Sequence, residues 1–205
     1  MSENDKRVKR DNIEIFMDHN IDEDNNVLYM GSENYDYDSD ETGVDFLMAE
    51  RVIKGLHYLD SKATNGITIK MNNVGGDWYH GMAIYDAIKS CKNRVTIIVY
   101  GHAMSMGSII LQAADHRIMM PHSRLMIHVG SNGFYGHSTN FDRWAEENKR
   151  INEEMYAIYL KRIKEIKPRF KKDKVVEICK FDSFYTAKET VALGLADEVY
   201  DYDDD

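Results

Sequence analysis

Apolar positions fall along the chain in two alternating periods. Short runs rich in β-branched and other apolar residues, at 26–30, 67–72, 95–100, 117–119 and 125–128, are separated by longer stretches in which apolar residues recur every three or four places. Strands that alternate with helices in this way predict stacked β-α units with parallel strands, an α/β fold. Within 43–60, Phe46, Ala49, Ile53 and Leu56 fall at i, i+3, i+7 and i+10 and form one apolar stripe; Ile84, Ala87, Ile88 and Cys91 do the same within 80–92. A third helix is predicted to begin inside 103–107 and, through Ile109, Ile110, Leu111, Ala113 and Ala114, is apolar nearly all round, hence buried. The longest predicted helix runs from Thr139, with Asp142 three residues on, to Lys167 before Pro168. At about 27 residues it reaches roughly 40 Å, longer than a small domain is wide, so it is expected to protrude and pack against another subunit. The last helix opens on Thr186 and Glu189, the spacing of a capping box, and stops near Gly194.

The 205 residues show no repeat, heptad run or linker, and one domain over 1–205 is expected. Residues 1–25 read as a flexible N-terminal segment, 33–42 as an acidic loop and 201–205 as an acidic tail. The net charge of −9 excludes an electrostatic nucleic-acid binder, because phosphate neutralisation needs clustered Lys and Arg. The one basic run, 161–174, is interrupted by Glu165 and Asp173 and reads as a solvated helix end. Cys91 and Cys179 are the only cysteines and form no CxxC, which suggests neither a disulfide scaffold nor a zinc site and fits a reducing, cytoplasmic setting. The polar N-terminus lacks the apolar stretch of a signal peptide, and no 18-residue apolar run offers a membrane span.

Four segments could carry chemistry. In 101–107, Ser105 stands where a strand meets an apolar helix, with Ala103 and Gly107 two residues to either side. A serine there is presented at the carboxyl end of a sheet beside unpaired helix amides, although capping a buried helix would explain it equally well. Gly75 and Gly76 follow a strand and allow close backbone approach to a ligand, or simply a turn. His128 ends an apolar strand before a glycine-rich stretch. His102 competes as a base, but three residues before Ser105 at a turn it has poor geometry for in-line proton transfer. Asp182, between Phe181 and the Phe184-Tyr185 pair, sits in an aromatic setting expected to keep its carboxylate out of water; a surface Asp before a helix cap is the competing reading.

Taken in order, the Gly75-Gly76 pair followed by 81–86, the Ala-x-Ser-Met-Gly of 103–107, the block 121–128, and Asp182-Ser183-Phe184 with Gly194-Leu195-Ala196-Asp197 resemble the Clp protease proteolytic subunit over roughly 27–200. The resemblance implies the repeated β-β-α spiral that this family shares with crotonases, with the long helix as a protruding handle. It implies a serine endopeptidase with the triad Ser105, His128 and Asp182 and an oxyanion hole from the backbone of Gly75 and Met106. A strand at 131–136 would pair with extended polypeptide substrates, which would be held by Gly76, Val129, Gly130, Ser131, Asn132 and Gly133. Further implied are a homo-oligomer of two stacked seven-membered rings enclosing a chamber, a separate AAA+ unfoldase that uses the ATP, and no metal or cofactor in this chain. Val74 stands where the family usually has proline, Met104 replaces a small residue, and Val129-Gly130 replaces Gln-Pro. Rival readings are a phage head-maturation peptidase, a silent ring subunit, and a crotonase-type acyl-CoA enzyme, for which CoA binding would discriminate.

Overall fold

A computed structural model describes residues 13–14, 16–31, 43–62, 65–130, 133 and 135–202. The acidic loop 33–42, Ser131, Asn132, residues 203–205 of the acidic tail and residues 1–12 of the N-terminal segment lie outside them. The described residues form an α/β fold, as the alternating periods imply. Its strands are β1 (Ile21–Asp22), β2 (Val27–Gly31), β3 (Ile67–Asn73), β4 (Val95–Met104), β5 (His116–Met119), β6 (Arg124–Ile127), β7 (Ser183–Thr186) and β8 (Glu198–Val199). Its helices are α1 (Phe46–Lys62), α2 (Trp78–Ser90), α3 (Met106–Leu111), α4 (Phe141–Ile166), α5 (Lys172–Cys179) and α6 (Ala187–Leu193).

The sheet runs β1-β2-β3-β4-β5-β8, parallel except where β1 folds back on β2. Strand β4 is longer than its hydrophobic run because it changes partners. Its first half, Thr96 to Val99, pairs with β5, and its second half, His102 to Met104, pairs with β6. Strand β6 in turn carries β7 antiparallel, so β6 and β7 form a short limb off the main sheet. Along β3 the burial alternates strictly, with Ile67, Ile69, Met71 and Asn73 facing inward. Their core is shared with Ile97 and Val99 of β4 and with all of α3, which is buried as its composition predicts.

Two helix expectations are corrected. The buried face of α1 is Met48, Ala49, Val52, Leu56 and Leu59. It lies about a third of a turn round from Phe46 and Ile53, so Phe46 is 58% exposed and meets the edge of the His80 ring instead. The Thr139 cap does not form either. The chain enters α4 through a 3-10 turn in which the Asn140 N–H donates to His137 O, and the α-helix begins at Phe141. The Thr186–Glu189 capping box is present, and α6 ends on Gly194 at φ 94°, as its sequence predicts. The buried residues of α4, Met155, Tyr156, Tyr159 and Ile163, all lie in its second half, so the first half stands clear of the core. No helix of the described residues is long and apolar enough to cross a membrane.

Candidate active site

Ser105 sits between the last residue of β4 and the first of α3, at φ 48° and ψ −121°. A non-glycine residue in this region carries backbone strain of order 1–3 kcal/mol, held only where its surroundings fix it. Here the Ser105 N–H donates to Met126 O of β6 at 2.9 Å, and its carbonyl accepts from the Ser108 N–H at 3.0 Å. The Met106 N–H lies in the first turn of α3 and has no acceptor within its own helix.

Register brings the other two groups to the serine. Met104 pairs with Met126, so the chain leaving β6 reaches His128 beside Ser105. The imidazole Nε2 lies 2.8 Å from Ser105 Oγ, so His128 is in hydrogen-bonding contact with the serine, as expected of a base at a strand end. On the far side Ile127 pairs with Ser183, so the antiparallel ladder sets Asp182 opposite His128, and the Nδ1 to Oδ1 distance is 2.9 Å. A carboxylate oxygen only accepts, so Nδ1–H donates to Asp182, and in the neutral ring this leaves the Nε2 lone pair facing the serine hydroxyl. The three side chains expected to act together are therefore in one hydrogen-bonded line. The expectation that aromatic neighbours shield the carboxylate is not met. The side chain of Asp182 is 63% exposed, and Phe181 and Phe184 also face outward, because Asp182 stands at the open end of the β6–β7 limb.

The glycine pair folds against this line. Gly75 has φ 101° and Gly76 φ 143°. A Cβ on Gly75 would stand 2.6 Å from Ser105 Cβ and 2.9 Å from the Met106 nitrogen, and one on Gly76 would run into the Val44 backbone. The Gly75 N–H, expected as an oxyanion donor, already donates to the buried Asn73 Oδ1 at 2.9 Å. The Gly75 carbonyl accepts from the Val44 N–H, and the Asp77 N–H donates to Val44 O. In a trans peptide the C=O and the following N–H point opposite ways, so the Gly76 N–H faces away from Val44, toward the β4 side where Ser105 lies.

A cleft of about 910 Å³ opens beside Ser105 and His128. Gly76, Gly130 and Gly133 of the expected peptide-binding set line it, while Val129 packs on the core and donates its N–H to Cys179 O. Gly133, Tyr135 and Gly136 are not in a strand. Its walls include Trp78, Tyr79, Trp144 and Met155, which the sequence reading left unassigned. Trp78 and Tyr79 directly follow the glycine pair and Asp77, and Phe141 and Trp144 are one helical turn apart; those are the signals that could have found them.

Residues 41–203 match a family model described as Clp protease. The chain is 35% identical over 163 residues, 78% of each chain, to an ATP-dependent Clp protease proteolytic subunit of Deinococcus radiodurans. It is 34% identical over 155 residues to a protein of the same description from Chlorella vulgaris, covering 74% of this chain and 75% of that one.

Proposed function

The chain belongs to the Clp protease family, and from that premise we propose that it is a serine endopeptidase in which Ser105 is the nucleophile, His128 the general base and Asp182 the group that orients the base. The observation that carries this reading is the hydrogen-bonded line from Ser105 Oγ through the His128 ring to Asp182 Oδ1, beside a glycine turn. In the first step Oγ attacks the peptide carbonyl carbon while its proton passes to Nε2. The oxyanion accepts hydrogen bonds from the Met106 N–H and from the glycine turn. Because the Gly75 amide is held by Asn73, we assign the second donor to Gly76, with Gly75 required for the space it leaves. His128 then protonates the departing amine as the C–N bond breaks. Water, deprotonated by the same nitrogen, releases the acyl group and restores the serine.

An extended polypeptide would lie along Gly130 to Gly133, with Ser131 and Asn132 in the middle of the run, held by main-chain hydrogen bonds that read no side chain. Selection would then rest on confinement. The exposed first half of α4 supports its role as the handle between two stacked heptameric rings, fed by a separate AAA+ unfoldase. Free thiols at Cys91 and Cys179 fit work in a reducing cytoplasm. The test is Ser105→Ala. Peptide cleavage and fluorophosphonate labelling should vanish while native mass measurement still finds the assembled particle; retained cleavage would remove the serine from the mechanism.

A further inference from the structure

Tyr159 is wholly buried in α4, and its hydroxyl lies 2.7 Å from Ser108 Oγ, also wholly buried. Ser108 Oγ in turn lies 2.6 Å from the carbonyl oxygen of Ser105. Proton counting fixes the direction of this chain. A carbonyl only accepts, so the single Ser108 hydroxyl proton points to Ser105, and Tyr159 must therefore donate to Ser108. The Ser105 carbonyl thus receives both the N–H and the O–H of Ser108. Since the direction of a carbonyl follows its residue's ψ, these two donors hold the strained backbone that aims Oγ at His128. One turn further along α4, Arg162 donates to the carbonyls of Gln112 and Ala114 at the opposite end of α3. The second half of α4 therefore grips the short nucleophile-bearing helix at both ends, while its first half stands free of the core.

We propose that Tyr159, acting through Ser108, is a positioning residue for Ser105 and links the placement of the long helix to the competence of the nucleophile. This rests on Ser105 being the nucleophile. A shift of the long helix when another copy packs on it would reach Ser105 through this chain. Neither residue touches substrate.

The test is a double-mutant cycle on the assembled protein with Tyr159→Phe and Ser108→Ala, each of which removes little more than a hydroxyl. Ser108→Ala should lower kcat by about tenfold with KM within about twofold, and should slow fluorophosphonate labelling by the same factor. Tyr159→Phe should act in the same direction, and the double variant should be no worse than Ser108→Ala alone, because both break one chain. Wild-type kcat in Ser108→Ala, additive losses, or losses in melting temperature without a change in kcat would overturn the coupling. Cleavage retained by Ser105→Ala would overturn the nucleophile assignment and this coupling together; an inactive Ser105→Ala beside a fully active Ser108→Ala would overturn the coupling alone.

Discussion

Gly75 lies so close against Ser105 that a Cβ added to it would stand 2.6 Å from the serine Cβ, with the Met106 amide only slightly further away. Even alanine there would crowd the Met106 amide, the proposed oxyanion donor, and would have to adopt φ 101°. Gly75→Ala should therefore lower kcat by about a hundredfold or more, the cost typical of losing an oxyanion donor. Affinity for a peptide boronate, whose tetrahedral adduct needs the same donors, should fall with it, and KM should move far less.

Asp182→Asn should remove the acceptor for Nδ1–H and favour the wrong tautomer of His128. A buried triad carboxylate is worth roughly 10⁴ in kcat, but Asp182 is largely exposed and water can replace part of its role. The expected loss is about 10–100-fold in kcat, read by steady-state peptide hydrolysis. A loss as large as that of Ser105→Ala would mean that the carboxylate is enclosed when the protein works.

Arg117 is 3% exposed and is held by Asp197, Gln112 and the Gly194 carbonyl. Burial works against the charged form of Asp197, but the hydrogen bonds and charge of Arg117 outweigh it and hold the carboxyl below its ordinary range. A depressed folded-state pKa contributes stability that is fully present above the unfolded value, ~3.9, and is lost as pH falls through the lower folded value. Asp197→Asn should be less stable at pH 7 by about 2–4 kcal/mol, because Arg117 loses its nearer charge partner and, among the described residues, keeps only Glu165 at 3.8 Å. Its stability should also change less than the wild type's below pH 4, as read by urea midpoints across pH.

Burial pushes the Cys91 thiol up to about 11 and that of Cys179 up to about 12. Only the thiolate alkylates, so at pH 8 iodoacetamide should modify both at least roughly a hundredfold more slowly in the folded protein than in urea. Mass spectrometry of the two residues checks this. Fast labelling of native Cys179 would mean that the end of α5 opens readily.

Elements set by local chemistry were legible in the sequence. The parallel strands β2 to β5, the buried α3 and the Thr186 box follow from runs, periods and caps that need no partner to be recognised. The long reach of β4 was not, because its second half is stabilised by β6, a segment 22 residues on. Strands β1 and β8 span two residues each, too few for alternation to register, β7 has no buried face to write a pattern, and α5 opens in a run of lysines that reads as solvent-facing surface. At the site, the serine and histidine could be read from their places at strand ends. The exposure of Asp182 could not, since it depends on which way Phe181 and Phe184 turn. Nor could the capture of the Gly75 amide by Asn73, a contact between two residues that sequence patterns treat as one turn.

Three ladder rungs, His102 with Arg124, Ala103 with Leu125 and Met104 with Met126, set the register that brings hydroxyl and imidazole within hydrogen-bonding reach. A slip of one rung would swing the ring to the opposite side of its strand. An insertion or deletion inside these rungs would therefore part the two groups, even where the rest of the sheet absorbed it.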